Sequence, residues 1–131
     1  MSKDVYEEDD HPVNPNNPIV IERTTIVDGQ TEIRHYYWCP GCRSLHSIRV
    51  RDSGPNPSRP SWVFSGTLEK PTYSPSQLTT WGISGRRCHT FIVDGQIQFL
   101  DDCTHPLKGR TVPLPPLPDW FVEESRLTKD Y

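Results

Sequence analysis

The chain is short of apolar residues. Only 33% of its 131 residues are hydrophobic, with a single Met, whereas 14 are Pro. Such a chain buries a small core, and small cores commonly need a disulfide or a metal to hold them. Positive charge is also scarce, since 14 Lys and Arg against 17 Asp and Glu leave a net charge of -3. That disfavours sequence-independent nucleic-acid binding, which runs on cations neutralising phosphates. No apolar run approaches the roughly 20 residues of a membrane-spanning helix. The start, MSKDVYEEDD, lacks the basic segment and apolar run of a secretory signal, so a cytoplasmic protein is expected. There is no phosphate-cradling glycine loop and no long amphipathic helical pattern, and the class expected is therefore mostly β.

What is present is a set of four cysteines. Cys39-Pro40-Gly41-Cys42 forms one cluster, and Cys88-His89 with Cys103-Thr104-His105 forms a split second one. Two residues between cysteines let one turn present both thiolates to a single metal, and four thiolate or imidazole donors suit tetrahedral zinc. In a cytosolic chain such pairs point to metal before disulfide. The first ligand set is Cys39, Cys42, Cys88 and Cys103; in the second, His105 replaces Cys88, with His46 nearby. A thioredoxin-like redox role fits less well, because that motif joins a strand to a helix and here it joins two strands.

The organisation follows from turn and strand signals. Residues 1–18, with the charge run Glu7 to Asp10 and three prolines, read as a disordered acidic tail. Residues 19–118 read as a zinc-binding β domain, a small sheet or barrel built from hairpins. Residues 119–131 read as a short C-terminal helix and tail. Asp28-Gly29 and Asp94-Gly95 are two-residue hairpin turns flanked by β-branched runs. Pro71 and Pro75 are expected to break the segment after the short strand at Trp62. The VPLPPLPD stretch is expected to be extended, and Asp119 to cap the final helix. His11 and His35 have no partners in the pattern and read as tail and surface residues.

Register in the second hairpin has a chemical consequence. A turn at Asp94-Gly95 pairs Val93 with Gln96 and Phe91 with Gln98, and side chains alternate faces along each strand. Cys88 then lies diagonal to Cys103 on one face, and His89 diagonal to Asp102 on the other. One side of the hairpin carries a metal half-site and the other a His–carboxylate pair. A serine from Pro71-Thr72-Tyr73-Ser74-Pro75-Ser76 would complete a Ser-His-Asp set, with Ser76 as nucleophile, His89 as base and Asp102 orienting it. Alternatively a metal-bound water attacks, with His46, His89 and His105 as candidate ligands or bases.

Two non-enzymatic readings stand beside these. The first is a zinc-stabilised module that binds a phage or host protein through Trp62, Trp81 and Trp120, with its PLPPLP segment docking as a polyproline helix. The second, disfavoured by charge, is single-stranded nucleic-acid binding through aromatics and Arg86-Arg87. The partner or substrate expected is a protein or peptide.

The motifs occur in a distinctive order. Cys39-Pro40-Gly41-Cys42, His46, Trp62 and Pro71 to Ser76 precede Cys88-His89, Phe91 to Gly95, Asp102 to His105 and Gly109 to Pro115. Over residues 36–118 this resembles a family of small zinc-binding proteins of phages and prophages, often labelled ammonia monooxygenase. Tyr73 stands where Phe is usual there, and Lys108 where a small residue is common. A more distant bacterial branch, encoded beside ubiquitin-like conjugation genes, is similar around CPGC, Pro-Ser and Cys-x-x-His, although Cys88 and His89 are adjacent in this chain. The resemblance implies zinc as cofactor and a location in the host cytosol or the virion. The distant branch implies a serine peptidase acting on ubiquitin-like tails, with Ser76 as nucleophile and His89 as base.

Overall fold

The computed structural model describes residues 13–51 and 60–128. Among these residues, eight strands form two antiparallel sheets, and one helix follows. The first sheet contains β1 (Ile21–Val27), β2 (Gln30–Cys39) and β3 (Ser44–Arg49), in that order. The second contains β4 (Val63–Gly66), β5 (Pro71–Trp81), β6 (Arg86–Val93), β7 (Gln96–Phe99) and β8 (Thr111–Pro113), again in chain order. The helix α1 spans Asp119–Thr128. Both sheets are open, so the architecture is mostly β without a closed barrel.

Both expected hairpin turns form. Asp28 and Gly29 have φ of 53° and 78°, and Asp94 and Gly95 have 51° and 79°. Left-handed conformations at both central residues match the twist of the flanking strands, and Asp-Gly adopts them at low cost. The registers follow, with Val27 opposite Gln30 and Val93 opposite Gln96.

The two sheets share one core. Tyr37, Ile48 and Val50 of the first region pack with Tyr73, Ile92, Ile97 and Phe99 of the second, together with Cys39, Cys88 and Cys103. A smaller cluster forms on the opposite face of β2, where Trp38 meets Leu117, Phe121 and Val122. Alternation along β2 explains the division, since Tyr37 and Trp38 point to opposite sides.

The fold departs from four of the expectations. Pro71 and Pro75 do not break the chain, because β5 runs through both for 11 residues. Pro71 is the first residue of the strand. Pro75 sits where the register slips: Tyr73 pairs with Ile92 but Gln77 with Thr90, so four residues of β5 oppose two of β6. A first position and a bulge are the places where a strand tolerates a missing N–H. The PLPPLP segment is not free to dock, because Leu114, Leu117 and Pro118 are buried in the fold. Of the three tryptophans, only Trp120 is exposed; Trp62 donates from Nε1 to the Ser76 carbonyl at 3.1 Å, and Arg86 lies 4.6 Å over Trp81.

His35, too, departs from expectation: it is fully buried rather than on the surface. Its Nδ1 lies 2.6 Å from the Tyr73 hydroxyl and its Nε2 2.9 Å from Glu22 Oε1. The tautomer that serves both has Nε2–H donating to the carboxylate and Nδ1 accepting from the phenol. This bond ties the first sheet to β5, three residues before Ser76. Tyr73→Phe strips a buried imidazole of its partner and is expected to cost about 1–3 kcal/mol. Denaturant unfolding checks this; an unchanged midpoint at unchanged slope would show that the strut contributes nothing.

The expected tail boundary at residue 18 falls inside a bonded segment. The Asn17 amide donates to the Leu117 carbonyl at 2.8 Å and to Asp119 Oδ1 at 2.8 Å, and Asn14 donates to the same carboxylate at 3.0 Å. Residues 1–12 of that tail, including His11, lie outside the described residues.

Candidate functional site

Two clusters of reactive side chains lie on opposite faces of β6. Cys88 points into the core, while His89, one residue on, points outward. On the outer face, the Ser76 hydroxyl lies 3.0 Å from His89 Nε2, and His89 Nδ1 lies 3.0 Å from Asp102 Oδ2. The three residues come from β5, β6 and the turn after β7, so they line up across the sheet. The bulge in β5 sets this geometry. Counting back from Gln77, which faces inward opposite Thr90, places Ser76 outward and diagonal to His89.

The bulge is itself pinned. Gln77 is buried, its amide donates to the Pro75 carbonyl at 3.1 Å, and its Oε1 accepts from Thr90 Oγ1 at 3.1 Å. With Trp62 bound to the Ser76 carbonyl, the backbone on both sides of the serine is held by side chains.

Asp102 faces two donors, the His89 imidazole and the Arg87 guanidinium. Hydrogen bonding to His89, and then the Arg87 guanidinium at 3.4 Å, hold its carboxyl below the usual range. It is therefore ionised near neutrality, as an orienting acceptor must be. The His89 tautomer that satisfies the chain has Nδ1–H donating to Asp102 and Nε2 accepting from Ser76.

On the inner face, the Sγ atoms of Cys39, Cys42 and Cys88 lie within 4.8 Å of one another, as do the donor atoms of Cys88, Cys103 and His105. Cys88 belongs to both groups. The four cysteines carry free thiols. Cys39 and Cys88 Sγ are 3.8 Å apart, and Cys88 Sγ is 3.5 Å from His105 Nε2. A tetrahedral centre with metal–sulfur bonds of about 2.3 Å places sulfurs about 3.8 Å apart, and sulfur and imidazole nitrogen about 3.6 Å apart. Those separations suit a shared metal ion.

Four further observations agree with that fit. Hydrogen bonds from Cys39 and then Cys88 hold the Cys42 thiol well below its ordinary range, while Cys39 and then Cys42 push Cys88 well above it. Several thiolates crowded together need a cation to balance them, and a divalent metal supplies one. His46 Nε2 is buried without a hydrogen-bond partner, and its imidazole contributes to the lowering at Cys42. Gly41 is packed so closely against the His105 ring that any Cβ there would overlap it. The Cys39–Cys42 turn is shaped for the cluster too, with the Cys42 N–H donating to Cys39 Sγ at 3.4 Å.

The two faces are mechanically joined. The His89 N–H donates to Cys103 Sγ at 3.2 Å, and the Cys103 thiol lies 3.3 Å from the His89 carbonyl. The register continues as expected only through Phe99, where β7 ends; Leu100 then donates to the His89 carbonyl at 2.9 Å and the chain turns. Cys103 and Asp102 reach their places through this turn rather than along a continued strand.

The family described as "Bacterial ubiquitination-like system serine protease (BubE)" matches residues 10–100. The chain belongs to this family. No curated protein and no solved structure matches it. The BubE match takes in Cys39, Cys42, Ser76, Cys88 and His89, and stops just before Asp102, Cys103 and His105. Among the described residues, no helix is long and apolar enough to cross a membrane.

Proposed function

We propose that this BubE-family chain is a serine hydrolase that cleaves amide or ester bonds of a peptide, with Ser76 as nucleophile, His89 as general base and acid, and Asp102 holding the imidazole. The observation that carries the reading is the continuous chain from Ser76 Oγ to His89 Nε2 and from His89 Nδ1 to Asp102 Oδ2, at 3.0 Å for each contact. Family membership supports a protease rather than another use of the same groups.

The chemistry follows from the tautomer. Ser76 Oγ attacks the carbonyl carbon while its proton passes to His89 Nε2, and Asp102 stabilises the imidazolium that results. The C–N bond then breaks as Nε2 returns that proton to the leaving amine. Water repeats the sequence on the acyl-serine: its proton goes to Nε2, the new C–O bond forms, and Ser76 recovers the proton as the acid leaves. Zinc held by Cys39, Cys42 and Cys88, with Cys103 or His105 completing four donors, supplies structure when bound. A thiolate-rich, inward-facing set is the closed kind of site. The motif order over residues 36–118 supports a phage-type setting, and the ubiquitin-like neighbourhood of the family supports a ubiquitin-like protein tail as substrate.

Intact-mass analysis after exposure to a fluorophosphonate tests the reading. One adduct on Ser76 is expected. Asp102→Asn should leave the fold intact but slow adduct formation by roughly 10⁴-fold, because the amide favours the wrong imidazole tautomer. Unmodified, folded protein would turn the assignment toward a non-catalytic binding module, with metal-water hydrolysis as the lesser remainder.

A further inference from the structure

The outer face of the second sheet continues beyond the serine. Along β6 the outward residues after His89 are Phe91 and Val93, which are 38% and 51% exposed. Gln98 stands opposite Phe91, Gln96 opposite Val93, and Thr111 opposite Gln98. With Lys70 they line a groove of about 420 Å³. Asp94 is its only other charged lining residue, so Lys70 and Asp94 cancel. Apolar walls and neutral amides on a near-neutral floor suit uncharged peptide, not an acidic or basic tail.

The catalytic geometry fixes which end of a substrate lies there. Leu78 pairs with His89, and Thr80 with Arg87. Moving along the sheet, the levels run Arg87, His89, Phe91, Val93, and Ser76 lies at the level of Phe91. His89 must hand its proton to the leaving amine, so the leaving half passes over His89 and Leu78 toward Arg87. The acyl half must run the other way, from Ser76 along Phe91 and Val93 toward Lys70. From the level of Phe91 to that of Gly95, beside which Lys70 lies, is about 13 Å at about 3.3 Å per residue, room for three or four extended residues.

We propose that the groove of Phe91, Val93, Gln96, Gln98, Thr111 and Lys70 is the acyl-side binding site, taking an extended peptide with uncharged, mainly apolar side chains. This rests on the Ser76–His89–Asp102 reading for its direction. Phe91 and Val93 meet alternate side chains, and Gln96 and Gln98 offer donors and acceptors to the peptide backbone.

The test compares two tetrapeptidyl diphenyl phosphonates, one with Val-Leu-Val and one with Asp-Glu-Asp on the acyl side, by their second-order rates of inactivation. In this reaction the serine oxygen displaces phenoxide from phosphorus, and the proton leaves through His89 to give phenol. The apolar probe is expected to react at least about tenfold faster, the factor that burying one apolar side chain supports. Phe91→Lys is expected to invert the preference, whereas general damage would slow both probes alike. Equal rates in the wild type, or an unchanged ratio in Phe91→Lys, overturn the groove and leave the triad standing. Should neither these probes nor a small fluorophosphonate react, the triad reading falls instead. The groove is then decided by NMR titration of the protein with acetyl-Val-Leu-Val-Ala: shifts centred on Phe91 and Gln98 uphold it, and no shifts overturn it.

Discussion

Ser76→Ala is expected to lower peptide hydrolysis by about 10⁴-fold or more while barely changing stability. The rate effect is large because the hydroxyl is the group whose bond to the substrate splits one hard step into two easier ones. The stability effect is small because a half-buried serine loses one hydrogen bond, worth about 0.5–1.5 kcal/mol. The backbone at residue 76 should hold, since Trp62 and Gln77 bind the Ser76 and Pro75 carbonyls rather than the side chain. His89→Ala should cost about as much, and the double variant little more than either single one. Groups that act as a unit are non-additive in that way. The comparison needs kcat/KM for the three variants and their thermal midpoints. Additive losses would mean that Ser76 and His89 do not work together, whatever their 3.0 Å contact. Retained activity in folded Ser76→Ala would remove the serine from the chemistry and leave a metal-bound water as the nucleophile.

How far the sequence reveals this arrangement depends on how local the determinants are. Asp28-Gly29 and Asp94-Gly95 are local signals, and the registers that they impose are those observed. The alternation that puts Cys88 inward and His89 outward is equally local. The path of β5 is not. Pro71 and Pro75 read as breakers because proline removes a ladder donor, but that penalty vanishes at a first position and within a bulge, and neither context shows before pairing is known. His35 escapes for a related reason. A lone histidine in a polar-looking strand gives no sign that Glu22 and Tyr73 will satisfy both of its nitrogens. Tyr73 lies 38 residues away in sequence and on the other sheet. The polyproline stretch is ambiguous in sequence because its leucines, spaced three apart, suit a docking ligand and a buried strap equally well. Only their partners decide between the two: Leu114 joins the main core, and Leu117 packs with Trp38 and Phe121.

Removing metal is expected to unfold the domain, and Cys88→Ala to do so most severely among single cysteine changes. Cys88 is the donor common to both groups, it is buried, and it lies between Cys39 and His105. Free energies of structural zinc sites run to about 10–16 kcal/mol in small domains, as large as the whole stability of about 5–15 kcal/mol expected of a domain. A core this small has little else to fall back on. A chelator in excess should therefore abolish the cooperative unfolding transition, with metal content measured in parallel. Activity should fall in step, because Cys103 Sγ accepts the His89 N–H. Slackening that thiol would loosen the backbone that aims the imidazole at Ser76. Cys103→Ser separates the two effects: it keeps a hydrogen-bond acceptor beside His89 while weakening metal affinity. If Cys103 completes the site, metal content falls and the domain melts lower. If His105 does, metal content holds, and His105→Ala is the variant that loses it. A metal-free protein with an unchanged transition would sink the structural role altogether and leave the cysteine cluster as a buried set of thiols.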